Sequence, residues 1–280
     1  MSLRSVYYLV FYCFITLSIN ARVVIFDLNG VLITENKSAI ASEIGYSYII
    51  KYCIGHMKIP HIRQLMYKTL DQIDGAQMSS EIEFDDKDTS PLPQVMVELE
   101  KGQITYQQIM LRLANLACVP SYQKIFISRW EQWFIERVIR VALDPVNLAQ
   151  CVKIIPKGLA LVKKCAEARD ASGNLKNELY ILSNMDPQSF ELTKIYKKEL
   201  FCNFKPNNIY ISGYMGKVKP EKAIYETMLQ ESGNSAQDCV FIDDQKENVE
   251  AAAACGLHAL HLQHANYKAL EIELQKLDVL

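Results

Sequence analysis

The chain has 280 residues, 50% of them hydrophobic and 22% charged, with a net charge of −2. That length accommodates one or two domains with a substantial buried core. The near balance of 30 basic and 32 acidic side chains supplies no basic face for nucleic acid, and the apolar content with only 9 Pro and 11 Gly excludes a disordered or fibrous chain.

The first 21 residues differ from the rest. Residues 6–19 are almost all apolar, after a single basic residue at Arg4 and before Asn20-Ala21. This run is shorter than the roughly 20 residues that cross a bilayer, but it fits the 7–15-residue apolar region, approximately, of a secretory leader. Ile19 is larger than the small residue favoured before a cleavage site. Residues 1–21 are therefore expected to be a signal-peptide-like leader. If it acts as one, the protein is secreted or periplasmic; otherwise it is cytoplasmic or membrane-anchored, with membrane contact only through the uncleaved leader. The chain has 8 cysteines, of which Cys13 lies in the leader, and no CxxC or Cys/His cluster that would hold zinc. Cys165, Cys239 and Cys255 are expected to be core thiols, which suits a reducing compartment better than an oxidising one.

After the leader, residues 22–28 (RVVIFDL) form a β-branched apolar run halted by Asn29-Gly30, which predicts a buried strand ending in a turn. From about residue 36 to 156 no strong strand is predicted, but helical periodicity recurs over 38–55, 59–73, 105–116 and 121–143. The last of these places Ile125, Trp130, Trp133, Phe134, Val138 and Val141 along one side, the pattern of a helix-bundle core. Residues 81–88 (EIEFDDKD), followed by SPLP, predict a solvated loop. Beyond them, helices at 158–171, 220–230 and 245–255 alternate with short apolar strands at 179–183, 208–212, 239–242 and 258–261. Strands alternating with helices imply an α/β fold, a doubly wound, Rossmann-like parallel sheet covered on both faces. The predicted organisation is a leader (1–21), an α/β core (22–35 and 156–280) and an α-helical cap (36–155).

In such a sheet, side chains at the C-terminal ends of the strands converge on one crevice. Those ends carry Asp27 and Asn29, Ser183 and Asn184, and Asp243 and Asp244, with Lys219 just beyond the 208–212 strand. Carboxylates at two strand ends, a hydroxyl and a lysine suit a Mg2+-assisted phosphoryl reaction. Mg2+ takes a few oxygen ligands together with phosphate oxygens, and a carboxylate can act as covalent nucleophile.

Four ordered motifs, FDLNGV (26–31), ILSN (181–184), KVKPEKAIY (217–225) and VFIDDQKENVEAA (240–252), closely resemble those of the haloacid dehalogenase superfamily, most of whose members are phosphatases. The resemblance runs over about residues 22–262, and the long interval between Asp27 and Ser183 matches the subfamily with a helical cap inserted after the first strand. It implies that Asp27 attacks phosphorus to form an aspartyl-phosphate and that Ser183 hydrogen-bonds the transferred group, with Asn184 beside the substrate. Lys219 would neutralise charge on nucleophile and phosphate. Asp27, the carbonyl of Asn29 and Asp244 would hold Mg2+, with Asp243 acting through water or orienting Lys219. The implied partner is a small phosphorylated metabolite, with no nucleic acid.

One position departs from the family. Its phosphatases carry an acid/base Asp two residues after the nucleophile, where this chain has Asn29, which cannot exchange a proton near neutral pH. Since general acid–base catalysis contributes about 10²–10⁴-fold, the expectation is a slow or specialised phosphatase. The alternatives are a pseudoenzyme that binds a phosphorylated ligand or a protein partner, and a carbon–phosphorus or carbon–halogen hydrolase. The halogen enzymes need no metal, so the intact Asp243-Asp244 pair weighs against them. Carbon–phosphorus relatives use a cap lysine, for which Lys51, Lys58 and Lys68 are candidates. His56, His61 and Arg63 are unranked candidates for substrate contacts from the cap.

Overall fold

A computed structural model describes residues 22–56, 61–73 and 92–280. The predicted leader, the acidic loop at 81–88 and Lys58 lie outside these residues. β1 (Arg22–Phe26) is followed by β2 (Ile33–Glu35), from which the chain enters a run of helices: α1 (Lys37–Ile44), α2 (Tyr46–His56), α3 (His61–Ile73), α4 (Gln94–Glu100), α5 (Tyr106–Leu116), α6 (Pro120–Gln123), α7 (Arg129–Leu143) and α8 (Pro145–Cys151). It returns through β3 (Val152–Ile154), then continues as α9 (Pro156–Glu167), β4 (Asn177–Ser183), α10 (Pro187–Tyr196), α11 (Lys198–Phe201), β5 (Ile209–Ile211), α12 (Ser212–Met215), α13 (Lys222–Ser232), β6 (Cys239–Asp243), α14 (Lys246–Ala254), β7 (His258–His261) and α15 (Tyr267–Lys276).

The large sheet has five parallel strands in the order β5-β4-β1-β6-β7. β1 is central, which explains its unbroken apolar run: both of its faces are covered. Alternation along the strands divides the core in two. Val24, Phe26, Leu179, Ile181, Val240 and Ile242 face one layer, closed by Leu161, Val162 and Cys165 of α9 and Tyr267, Leu270 and Leu274 of α15. Val23, Ile25, Tyr180, Leu182, Cys239 and Phe241 face the other, closed by Ile224, Tyr225 and Met228 of α13 and Ala252 of α14. Cys165 and Cys239 are buried as expected, but Cys255 is only half-buried because it follows the end of α14, at the rim of the second layer.

The chain leaves and re-enters the sheet domain through an antiparallel pair, in which Ile33, Thr34 and Glu35 of β2 face Ile154, Lys153 and Val152 of β3. Periodicity missed β3, whose three residues are too few for a pattern. The helices between β2 and β3 enclose their own core, built on Tyr52, Leu70, Val95, Ile109, Leu113, Phe134, Ile135 and Ile139. The helix expected over 38–55 is interrupted at Gly45, and that over 121–143 is two helices, because Ser128 caps the start of α7 by accepting from Glu131 N at 3.1 Å. Phe134 stacks against Tyr52 and Trp130, with ring centroids 4.9 and 5.5 Å apart. Trp133 leaves the predicted stripe and is exposed. It is one residue, about 100° of helical turn, from Phe134, and packs edge-on against Tyr48 at 4.9 Å. Among the described residues no helix is long and apolar enough to cross a membrane.

Candidate active site

Strand register brings the predicted residues to one edge. Phe26 is level with Ile181 of β4 and Ile242 of β6, so Asp27 and Asp243 emerge side by side at the C-terminal ends, with Ser183 one residue further along β4. Asp27 N donates to Ile242 O at 2.9 Å, carrying the ladder one residue past β1 and holding the carboxylate in place. β4 and β5 lie on one side of β1 and β6 and β7 on the other, so this edge is where the winding of the sheet reverses, the usual position of an α/β crevice.

Lys219 is the hub. Its Nζ lies 2.8 Å from Asp27 Oδ1 and 2.6 Å from Asp243 Oδ2, with all three side chains buried. Asn184 positions the lysine rather than facing a ligand: its Nδ2 donates to Lys219 O at 2.9 Å and its Oδ1 accepts from Lys219 N at 2.8 Å, so both ends of the amide are engaged. Asp243 is likewise committed, accepting from Gln245 N at 2.8 Å and from Asn248 Nδ2 at 3.1 Å as well as from Lys219. This geometry suits the orienting role more than direct metal ligation.

Electrostatics follow from burial. Desolvation raises the Asp27 carboxyl above the ordinary carboxylate range, against the pull of Lys219. Burial disfavours the charge on Lys219, but the attraction of Asp27 and Asp243 outweighs it and raises the lysine. Asp244 is raised by its own burial and by Asp243. Three carboxylates around one ammonium leave an excess of negative charge, which a partly buried site tolerates poorly without a cation.

Two buried polar atoms lack a hydrogen-bond partner at this edge, Ser183 Oγ and Asp244 Oδ1. Asp27, Asp243 and Asp244 each offer a ligand atom, and these atoms lie within 4.8 Å of one another. An unpartnered carboxylate oxygen beside a second carboxylate is chemistry suited to a hard divalent cation, and an unpartnered hydroxyl next to it suits an anionic oxygen. The residues present thus fit Mg2+ and phosphate.

The loop after β1 is shaped to admit Asp244. Gly30 has φ +76°, and a Cβ there would collide with the Asp244 carboxylate. Gly30 N donates to Ile33 O at 2.8 Å, and the Tyr267 hydroxyl donates to Val31 O at 2.6 Å. Asn29, between Asp27 and Gly30, is exposed. Gly30→Ala is expected to strain the backbone by about 1–2 kcal/mol and to displace Asp244. Calorimetric titration with MgCl2 should show affinity falling by roughly tenfold or more, the equivalent of about 1.4 kcal/mol.

Sequence reasoning passed over Asn248, which sits within the quoted fourth motif, and Tyr267 and Ser212, which carry no pattern. It also passed over Glu100 at the end of α4, whose carboxyl burial pushes up to about 7; Lys219 opposes that shift while Asp27 and Asp186 reinforce it. Of the cap candidates, Lys51 is exposed with its Nζ 4.4 Å from the centre of the Trp130 ring, and Arg63 pairs with the Tyr67 hydroxyl at 3.0 Å.

A family model for haloacid dehalogenase-like hydrolases matches residues 21–256. The chain is 32% identical over 96 residues to the sesquiterpene phosphatase astK of Aspergillus oryzae, a stretch covering 34% of this chain and 46% of that protein. It is 29% identical over 92 residues to the drimenol cyclase drtB of Aspergillus calidoustus, covering 33% of this chain and 16% of that one. The matched region therefore spans less than half the length of either relative. Among solved structures, the crystal structure of a dehalogenase superposes with a TM-score of 0.51 at 13% identity, covering 88% of this chain and 87% of that chain, a likeness of fold.

Proposed function

This chain belongs to the haloacid dehalogenase-like hydrolases, and from that premise we propose that it is a Mg2+-dependent phosphatase acting on a small phosphorylated metabolite. The observation that carries the proposal is the buried Asp27–Lys219–Asp243 cluster, with the unpartnered Ser183 Oγ and Asp244 Oδ1 at the same edge. Mg2+, held by Asp27, Asp244 and the carbonyl of Asn29, would supply charge neutralisation for the phosphoryl oxygens.

The chain's own residues do the rest. Asp27, presented by the end of β1, attacks phosphorus and becomes an aspartyl-phosphate, which water then hydrolyses. The Ser183 hydroxyl donates to a phosphoryl oxygen, and Lys219 offsets charge on nucleophile and phosphate while Asn184 and Asp243 hold it in place. The phosphatase named among the relatives favours phosphate-ester cleavage over carbon–halogen chemistry.

The test is phosphate release from a broad panel of aryl, alkyl and acyl phosphates, with Mg2+ and with excess EDTA. Release that requires Mg2+ is the expected result. No release from any ester, alongside tight binding of inorganic phosphate, would replace this reading with that of a phosphate-binding pseudoenzyme.

A further inference from the structure

The cap places one acid over the site that no motif contains. The C-terminal turn of α4 is docked on the loops that follow β4 and β5. Ser212 Oγ donates to Glu100 O at 2.6 Å and accepts from Met185 N at 2.9 Å, so one hydroxyl joins the cap to the segment just after Ser183-Asn184. Lys101 Nζ pairs at 2.7 Å with Glu221, two residues beyond Lys219. The turn lies so close that a Cβ on Gly102 would strike the Gly213 carbonyl.

This docking lays the Glu100 carboxyl within the electrostatic reach of Lys219, Asp27 and Asp186. It makes no ion pair among the described residues, although burying an unpaired carboxylate is unfavourable. The neighbouring acids all have other tasks. Asp186 caps α10 by accepting from Ser189 N, Asp243 holds Lys219, Asp244 faces Asp27, and Glu221 pairs with Lys101. Among the described residues Glu100 is the uncommitted acid at a site where Asn29 stands in the position of the family's usual proton donor.

Building on the phosphatase reading, we propose that Glu100 is the general acid and base of this enzyme, a catalytic residue supplied by the cap in place of the missing Asp. In the first step an Asp27 oxygen bonds to phosphorus, the phosphorus–oxygen bond to the leaving group breaks, and the Glu100 proton passes to the departing oxygen, releasing an alcohol. In the second, water bonds to phosphorus, its proton returns to Glu100, the bond to Asp27 breaks, and inorganic phosphate forms. Leaving oxygen and attacking water use the same side of the phosphorus, opposite Asp27, so one carboxyl serves both steps. A carboxyl raised to about 7 holds and yields a proton near neutral pH, and the negative charge of a bound phosphoryl group favours its protonated form.

The test uses the full chain with Mg2+, comparing wild type and Glu100→Gln on an aryl phosphate, whose leaving group needs no proton, and an alkyl phosphate, whose leaving group does. In Glu100→Gln the aryl ester is expected to give a rapid burst of one phenol per enzyme, with acid-stable trapping of phosphoenzyme, followed by slow turnover. The alkyl ester is expected to lose its burst and to slow by about 10²–10⁴-fold. Adding Asn29→Asp to Glu100→Gln restores turnover by tenfold or more, and Glu100→Asp, which keeps a proton-exchanging group, remains faster than Glu100→Gln. Equal rates for wild type and Glu100→Gln on the alkyl ester overturn the inference alone, as does loss of both bursts, which would mark Glu100 as a docking residue. No turnover by wild type on either ester overturns the phosphatase reading and this inference with it.

Discussion

Asp27→Asn is expected to abolish phosphate release, lowering kcat by about 10⁴-fold or more, the scale seen when a covalent nucleophile is removed. The amide occupies the same volume, so β1, its ladder to β6 and the Lys219–Asp243 pair remain. It also resembles the protonated acid, the form that burial favours at this position. Thermal stability should therefore hold or rise while activity vanishes. Calorimetry and steady-state kinetics on the same preparation check both. A variant that retains turnover would move the nucleophile elsewhere, and one that unfolds would give Asp27 a structural role.

Lys219→Met carries the largest expected cost to the fold. The ammonium is the cation that faces both Asp27 and Asp243 at 2.8 and 2.6 Å inside the protein. Its removal leaves two buried carboxylates facing one another with a third, Asp244, nearby, and breaking a buried pair in this way costs about 3–5 kcal/mol. For a chain of this size that corresponds to a fall in Tm on the order of 10 °C. Activity should fall by about 10²-fold or more, as when a group that stabilises developing charge is removed. Mg2+ then becomes the remaining source of positive charge in the cluster, so the Tm of the variant should rise more steeply with added MgCl2 than that of wild type. A variant with wild-type Tm and no added response to Mg2+ would show that the carboxylates tolerate one another, and the charge argument for a cation would fail.

The chain's own sequence carried the sheet and the residues at its edge. Short β-branched runs that stop at Asp27, Ser183 and Asp243 become parallel strands because alternation and burial are local properties, read from neighbouring residues. Once the strands are parallel and in register, their ends converge, so the three motifs that end on β1, β4 and β6 meet without any further information. The candidate site of Asp27, Lys219 and the acidic pair Asp243-Asp244 was therefore legible in the sequence, and so was the departure at Asn29.

Tertiary structure decided what depends on contacts between distant segments. That the Asn184 side chain is turned to the backbone of Lys219 and that Tyr267 holds the loop at Val31 both follow from packing that no local pattern encodes. Glu100 is the sharpest case. In sequence it is one acid among 32, at the end of an ordinary helix. Ser212 and the Lys101–Glu221 pair bring that helix end down onto the core, and burial then changes what the carboxyl can do. Periodicity and motif report what a residue's neighbours in the chain require of it, whereas the proton affinity of a carboxyl depends on the solvent it loses and the charges it meets, which only the folded chain determines.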